Sequence, residues 1–467
     1  METLSRRLFL KQSASAALGF AGLRMISGCA APGQALTGSM PYGYGAFEPD
    51  PAGIIDLPAG FSYRIISRAG ETMTDGFVVP SRHDGMASFP GPNGLTVLVR
   101  NHEVGPGARA AEGAFGPGNE LLPRAAEDRI YDAGSRGEPC LGGTTTLVYD
   151  TRRRALVSHH LSLAGTLVNC AGGPTPWNTW ISCEEVTVRT GDRCARDHGF
   201  CFEVEASPGS GIVRPVPLKA MGRFKREAVA VEPVSGVVYQ TEDLGNGLLY
   251  RFLPDRRGLL IEGGRLQALA VVEQSSLDTR NWNETTIAPG PTFRTRWIDL
   301  DDVESPDDDL RHRGFAAGAA RFARAEGIWY GNETVYFACT NGGAARLGQI
   351  WKYSPSVYEG TSREVEQPGT IELFVEATEA GLIENCDNLT VAPWGDLIVC
   401  EDGSGSQFLV GITPDGEIYK LAENRLSDSE LAGVTFSPDG TTLFVNIQQD
   451  GISLAITGPW SRRWISA

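Results

Sequence analysis

Short runs of alternating apolar and polar residues, separated by Pro and Gly turns, recur along this chain. One unit appears six times: a polar residue, an apolar run, a turn, and a second apolar run that ends in Glu, Asn or Asp. Alternation with a period of two predicts half-buried strands, and the turn residues predict hairpins. The copies begin at Asp84, Cys170, Glu227, Glu326, Asp387 and Glu430.

Further strand-like runs lie between the hairpins and would supply outer strands of four-stranded sheets. They are residues 144–150, 199–205, 248–253, 348–353 and 416–421. Repeated hairpins at blade-like spacing predict an all-β fold, a six-bladed β-propeller with inserted loops. We expect a single propeller domain over residues 46–467. The 57 Gly and 28 Pro residues agree with a fold rich in turns.

The amino terminus resembles an export signal. Arg6 and Arg7 precede a short apolar stretch, which is typical of a twin-arginine signal peptide over residues 1–28. Cys29 ends a lipobox-like sequence and is a candidate lipid anchor, with ordinary cleavage among the nearby alanines as the alternative. Residues 29–45 would form a flexible segment. We therefore expect the twin-arginine export machinery as a partner and a periplasmic or cell-surface location.

The net charge of the chain indicates which classes of ligand it can bind. The chain has 41 basic and 57 acidic residues, a formal charge of −16, which argues against nucleic acid and favours cations. In a propeller the six hairpins converge on an axis, so their leading residues would face one another. Facing carboxylates repel unless a cation neutralises them, so the pattern predicts a multi-metal site.

The second strands of the hairpins supply more candidate ligands. Their trailing residues are Asn101 to Glu103, Glu184 with Glu185, Glu242 with Asp243, Asn341, Glu401 with Asp402, and Asn446. Carboxylate oxygens suit calcium, whereas a thiolate at Cys170 suits iron. The alternatives are that some of these acids only cap turns and that Cys170 is a small buried apolar residue.

Arg324 lies two residues before Glu326, on the same side of an extended segment. A guanidinium there could clamp a phosphoryl group, which predicts phosphate-ester hydrolysis at the metals. The alternative is that Arg324 only balances acidic neighbours. Lys225 and Arg226 allow the same two interpretations. Cys194 and Cys201 form a candidate disulfide pair.

Four segments resemble the PhoX-type alkaline phosphatases: residues 169–185, 222–243, 387–403 and 430–448. The resemblance runs from about residue 40 to the end. It implies a calcium-dependent, exported phosphatase with an iron pair and calcium ions on the propeller axis. It implies Cys170 as an iron ligand, Glu227, Glu326, Asp387 and Glu430 as carboxylate ligands or their close neighbours, and Arg324 as the phosphate contact. The chain is shorter than well-known members, and Lys225-Arg226 stands where histidine is expected.

These arguments give the following assignment. The catalytic residues are Arg324, Glu326 and Cys170, and Arg324, Asn101 and His102 bind a small phosphorylated substrate. The ligands of ferric iron and calcium are Cys170, Glu227, Glu326, Asp387, Glu430, Glu184, Glu242 and Glu401. A monomer that binds no nucleic acid is expected. The alternatives are a non-catalytic calcium-stapled propeller that binds a partner, and a propeller lactonase-type hydrolase with one calcium and no iron.

Overall fold

The computed structural model describes residues 43–191 and 193–462. The predicted signal peptide, the lipobox residue Cys29 and most of the 29–45 segment lie outside the described residues. Within the described ranges, no helix has the length and apolar character needed to cross a membrane.

The described chain consists of strands, short 3₁₀ helices of one turn and one α-helix, α1 (Leu310–Ala316). The predicted all-β, propeller-like fold is therefore confirmed. In chain order the strands are β1 (Phe47–Glu48), β2 (Ile55–Pro58), β3 (Ser62–Arg68), β4 (His83–Pro90), β5 (Thr96–His102), β6 (Gly142–Asp150), β7 (Ala155–Thr166), β8 (Asn169–Pro174), β9 (Thr179–Glu184), β10 (Cys201–Glu205), β11 (Arg226–Val231), β12 (Val238–Glu242), β13 (Gly247–Leu248), β14 (Tyr250–Pro254), β15 (Gly264–Val271), β16 (Thr292–Asp299), β17 (Arg321–Phe322), β18 (Ala325–Gly331), β19 (Thr334–Cys339), β20 (Gln349–Ser354), β21 (Thr370–Glu376), β22 (Cys386–Val391), β23 (Leu397–Glu401), β24 (Phe408–Ile412), β25 (Ile418–Asn424), β26 (Leu431–Phe436), β27 (Thr442–Ile447) and β28 (Ile452–Thr457).

The repeated sequence unit forms an antiparallel hairpin each time it occurs in the described chain. Gly395 and Gly440 lie in hairpin turns with positive φ, at 98° and 69°, a conformation that glycine adopts without strain. The hairpins are β4–β5, β8–β9, β11–β12, β18–β19, β22–β23 and β26–β27. Outer strands extend each of them into a sheet of three or more strands.

The first strands of these hairpins follow one another around a ring. β4 contacts β8, and the contacts continue through β11, β18, β22 and β26 back to β4. The ring is closed by strands from opposite ends of the chain, because β3 pairs with β28 from Ser62–Thr457 to Arg68–Ile452. Closure pairs strand edges that would otherwise stay open.

Two connections between sheets were not predicted. β16 pairs with β15 through residues 295–299 and with β21 through residues 292–294, so it joins two neighbouring sheets into one. β2 pairs with the outer strand β25 and β1 pairs with β2. These contacts join sheet edges at the outside of the ring and leave its centre unchanged.

The apolar core lies between adjacent sheets. Tyr239, Phe337 and Trp351 belong to one buried cluster, and Leu454 of β28 belongs to another. Both clusters follow from the period-two pattern, because alternate side chains of each strand point toward the next sheet. The core therefore holds the hairpins at fixed positions around the ring.

A β-bulge interrupts each of the hairpins at the same place. The ladder skips two residues between His83 and Met86, and it does so at the equivalent step of each other hairpin. A bulge re-aims the side chain of its extra residue. The first bulged residues are Asp84, Cys170, Glu227, Glu326, Asp387 and Gly433.

The sixth hairpin differs from the prediction. The sequence pattern placed Glu430 at the position equivalent to the other leading residues, but the structure places Gly433 there, with φ at 65°. Glu430 precedes β26 by one residue. The alternation pattern does not reveal the bulge, so the alignment of this hairpin was wrong by three residues.

We expect the closing strand to carry much of the stability of the ring. Leu454 is fully buried in β28 opposite Ile65 of β3. Leu454→Ala should lower the free energy of unfolding by about 2–5 kcal/mol, because it leaves a cavity in the core. Val234→Ala is a suitable control because Val234 is 84% exposed. Denaturant unfolding should show a change within about 0.5 kcal/mol for the control; equal shifts for both variants would contradict the closure argument.

Candidate metal and phosphate site

Acidic side chains meet at the centre of the ring. Carboxylate oxygens of Glu227, Glu326 and Asp387 lie within 4.8 Å of one another, and Glu103, Cys170 and Glu185 form a second such group. Cys170 Sγ links the two groups, because it lies 3.2 Å from a Glu227 oxygen and 3.8 Å from an Asp84 oxygen. These residues are close neighbours of Asp243, Asp402 and Glu430. We call the whole set the axial cluster: Asp84, Glu103, Cys170, Glu185, Glu227, Asp243, Glu326, Asp387, Asp402 and Glu430.

The electrostatics of the axial cluster disfavour full ionisation. Burial raises the pKa of Glu227 well above its usual value, and the charges of Glu185, Asp387 and Asp84 raise it further. Burial and the charge of Asp402 raise the pKa of Asp387 to about 7. Burial and the neighbouring acids also raise the pKa of the Cys170 thiol. A bound cation would reverse these shifts.

Two fully buried carboxylate oxygens of the cluster have no hydrogen-bond partner. They are Glu227 Oε2 and Asp387 Oδ1, both buried. An unpaired buried oxygen costs free energy unless it meets a donor or a metal ion. Hard carboxylate oxygens beside one soft thiol therefore fit metal ions in this position.

Two cationic side chains border the cluster and share Asp243. Arg324 donates from Nε and Nη2 to the two Asp243 oxygens at 2.7 and 3.1 Å, and from Nη2 to Glu326 at 2.8 Å. Lys225 Nζ lies 2.8 Å from Asp243 and 2.7 Å from Glu185. Both cations remain partly exposed, at 38% and 35% of their side chains. They are therefore held in place and still reachable from solvent.

The backbone at Arg324 adopts an unusual conformation. Its φ is 49°, in the left-handed region that non-glycine residues rarely occupy. Its N–H donates to the Leu244 carbonyl, and its carbonyl accepts from Thr340. Backbone groups just beyond the ends of β12 and β19 thus hold this strained residue before β18, with its guanidinium at the axial cluster.

The side chains of Lys225 and Arg226 point in opposite directions, as consecutive residues of an extended segment do. Arg226 stacks on the Phe224 ring at 3.9 Å and donates from Nε to Gln240, on the side opposite Lys225. The interpretation of Lys225 and Arg226 as a pair of phosphate contacts is therefore wrong for Arg226. Lys225 alone faces the axial cluster.

Comparison with known proteins identifies the family. Residues 42–154 and 150–451 match the family described as alkaline phosphatase PhoX. The chain belongs to this family. As a member of the PhoX family it is a phosphatase, a hydrolase of phosphoric esters, and the resemblance seen in its sequence is confirmed. No curated protein matches it in sequence.

A solved PhoX structure has the same fold. It is Pseudomonas fluorescens PhoX in complex with vanadate, a transition-state analogue, with 20% sequence identity, coverage of 90% of this chain and 97% of that chain, and a TM-score of 0.64. A gluconolactonase from Xanthomonas campestris is also similar, with 13% identity, coverage of 86% and 97%, and a TM-score of 0.40.

Three predicted metal ligands of this PhoX-family chain point away from the axial cluster. Glu184 accepts from the N–H groups of residues 167, 199 and 200 and from His198. Glu242 accepts from Tyr250 and Leu248, and Glu401 accepts from the N–H groups of residues 384 and 408. The next residue of each strand end, Glu185, Asp243 or Asp402, lies at the cluster instead. The assignment was wrong by one residue because consecutive side chains face opposite sides.

The two predicted substrate contacts on β5 are also corrected. Asn101 is fully buried, donates to the carbonyls of Cys170 and Ala171, and accepts from Trp180 and Ser182. His102 is buried between the Ser81 carbonyl and the Thr145 hydroxyl. All their polar atoms have partners, so these residues tie strands together and do not face a substrate.

The candidate disulfide between Cys194 and Cys201 is likewise wrong. Cys201 faces Cys183 across β9 and β10, with sulfurs 3.6 Å apart, and Cys194 lies 3.9 Å from Cys140. Sequence reasoning also missed Gln448, whose Nε2 donates to Asp84 and Glu103. Asn446, a candidate ligand two residues earlier in the same hairpin, could have pointed to Gln448, because side chains two apart in a strand share a face.

We expect cations to stabilise this PhoX-family protein. Binding only to the folded state adds about 2.7 kcal/mol when the cation is at 100 times its Kd. Titrating chelator-stripped protein with Ca²⁺ as the probe should therefore raise Tm, as measured by calorimetry. The double variant Glu227→Gln/Asp387→Asn should lose this response. A matched control, Glu48→Gln/Glu417→Gln, removes two exposed charges and should keep it; an identical response in both double variants would exclude the axial cluster as the site.

Proposed function

We propose that the protein is an exported phosphatase that hydrolyses phosphate monoesters, with diesters as further substrates, at an iron and calcium cluster on the axis of a six-bladed propeller. One observation carries this proposal. A strained, partly exposed arginine borders a group of buried carboxylates and one thiol, which several different hairpins contribute. A purely structural calcium site needs neither the thiol nor the arginine.

The donor set suggests how the metals would be held. Cys170 would bind ferric iron together with adjacent carboxylates, Glu227 first among them. Glu326, Asp387 and Glu430 offer only oxygen, which suits calcium. Bound metal ions would polarise the phosphoryl oxygens and activate a nucleophile. Asp84, Glu103 and Glu185 would supply further carboxylates around the metal ions.

The chain's own cations would orient the substrate. Arg324 Nη1 donates to no described residue, whereas Nε and Nη2 are anchored to Asp243 and Glu326. This free group can donate to a phosphate oxygen while the anchors hold it still. Lys225, held by Asp243 and Glu185, adds positive charge on the same side. Glu326 thus acts by orienting Arg324 as well as by offering an oxygen to a metal.

Other parts of the proposal concern the fold and the location. The cyclic order of the hairpins supports six blades. The twin-arginine sequence supports export to the periplasm or cell surface, through the twin-arginine machinery, with Cys29 as a lipid anchor. The acidic charge supports a monomer that does not bind nucleic acid.

Export can be tested directly. Arg6→Lys/Arg7→Lys should leave the precursor in the cytoplasm, because the receptor reads the paired arginines. Cell fractionation followed by immunoblotting measures this, with Arg24→Lys as the control within the same segment. Normal export of the paired variant would contradict the assignment of residues 1–28.

Arg324→Ala should lower kcat about 10²- to 10³-fold, as expected when one positioned donor to developing charge is lost. The assay is hydrolysis of p-nitrophenyl phosphate. Arg154→Ala is the control, because Arg154 also has a positive φ, 53°, but lies at the β6–β7 turn. Unchanged kcat for Arg324→Ala would overturn its role.

Metal content separates the phosphatase proposal from its alternatives. The purified protein should contain iron and calcium, and a calcium chelator should abolish activity. Cys170→Ala should lose iron and activity, whereas Cys339→Ala, which removes another buried thiol, should keep both. Elemental analysis and the same phosphatase assay measure these results. Calcium without iron, with no phosphatase activity, would favour a lactonase-type or binding protein.

A further inference from the structure

A second group of metal-ligating side chains lies apart from the axial cluster. Asp132 and Cys140 belong to the insertion between β5 and β6, and Cys194 and His198 belong to the loop between β9 and β10. All four residues are buried, and one ligand atom of each lies within 4.8 Å of the others. No axial residue belongs to this group.

The distances within the group match the edges of a tetrahedron. The two sulfurs are 3.9 Å apart, Cys140 Sγ lies 3.7 Å from His198 Nε2, and His198 Nε2 lies 3.1 Å from Asp132 Oδ2. Tetrahedral zinc bonds imply edges of about 3.8 Å for two sulfurs, about 3.6 Å for sulfur and nitrogen, and about 3.3 Å for nitrogen and oxygen. The side chains are therefore already spaced for one ion.

His198 is oriented by a carboxylate that faces away from the group. Its Nδ1 donates to Glu184 Oε1 at 2.6 Å. Glu184 is fixed in turn by the N–H groups of Leu167, Gly199 and Phe200. A carboxylate on one imidazole nitrogen is the usual support for a histidine that binds metal through the other. Nε2 is the nitrogen that faces Cys140 and Asp132.

Asp132 is positioned in a similar way. Its Oδ1 accepts from the N–H groups of Gly134 and Ala195, and its Oδ2 accepts from that of Arg196. These donors compensate the buried negative charge and fix the carboxylate on both loops. A cleft of about 360 Å³, lined by Cys140 and Cys194, gives an ion a path from solvent.

We propose that Asp132, Cys140, Cys194 and His198 bind one zinc ion that joins the β5–β6 insertion to the β9–β10 loop. Two thiolates and an imidazole select a soft ion such as Zn²⁺ over Ca²⁺. A disulfide between the two cysteines would use neither His198 nor Asp132, and it would leave the support of His198 by Glu184 unexplained. The zinc site does not depend on the proposed chemistry of the axial cluster.

The test uses the full chain produced with its thiols reduced, in the Cys170→Ala background so that no axial thiolate contributes. We expect one equivalent of zinc that survives dialysis, as measured by elemental analysis. Adding Cys140→Ser/Cys194→Ser should remove it. Adding Cys183→Ser/Cys201→Ser instead, which alters another close pair of buried cysteines, should leave it bound. Equal zinc in both variants, or Cys140 and Cys194 joined in a disulfide by peptide mapping, would overturn the proposal.

A second measurement does not depend on the serine variants folding. Cobalt reconstitution of the Cys170→Ala protein should give a thiolate-to-cobalt charge-transfer band and the visible spectrum of a tetrahedral ion. His198→Gln should change or abolish this spectrum. A cobalt spectrum without a thiolate band would show that the ion binds elsewhere and would contradict the site.

Discussion

The mutual repulsion of carboxylates at the axis is the constraint on which the rest of this structure depends. A bulge in each hairpin turns one residue inward, and four of these residues are acids. Isolated hairpins would splay apart to relieve that repulsion, but the β3–β28 pairing and the cores between sheets prevent it. The acids must therefore share protons or a cation. The ring therefore holds like charges close to one another at its centre.

The protein's own cations neutralise only part of this charge. Asp243 lies between Arg324 and Lys225, which lower its pKa although burial alone would raise it. The pKa values of Glu227 and Glu326 are shifted upward, by burial first and by like charges next. The cluster thus has an edge, at Asp243 and Glu326, that the two cations contact, and an interior around Glu227 and Asp387 where no described cation forms an ion pair. Metal ions suit the interior, and an anionic substrate suits the edge, where the two cations are partly exposed.

The sequence predicted features that depend on neighbouring residues. It did not predict features that depend on the register between paired strands. Alternation and turn residues predicted the hairpins, because both are properties of neighbouring residues. Bulges leave no mark in the alternation, so the sequence aligned Glu430 where the structure has Gly433. Two adjacent acids at a strand end do not show which of them faces the axis, so the sequence did not separate Glu184 from Glu185. The partners of Cys194 come from an insertion more than fifty residues away, and spacing along the chain could not supply them.

The end of β9 links the two groups of candidate ligands. Glu184 supports His198 on one side, and Glu185 contacts Lys225 at the axial cluster on the other. Because the two residues are adjacent, a shift of this strand end would move both carboxylates together. An ion that joins the two loops would limit that shift and so hold Glu185, and through it Lys225, at the edge where phosphate is expected. The zinc site would then affect substrate affinity by positioning Lys225, without any contact between the ion and the substrate.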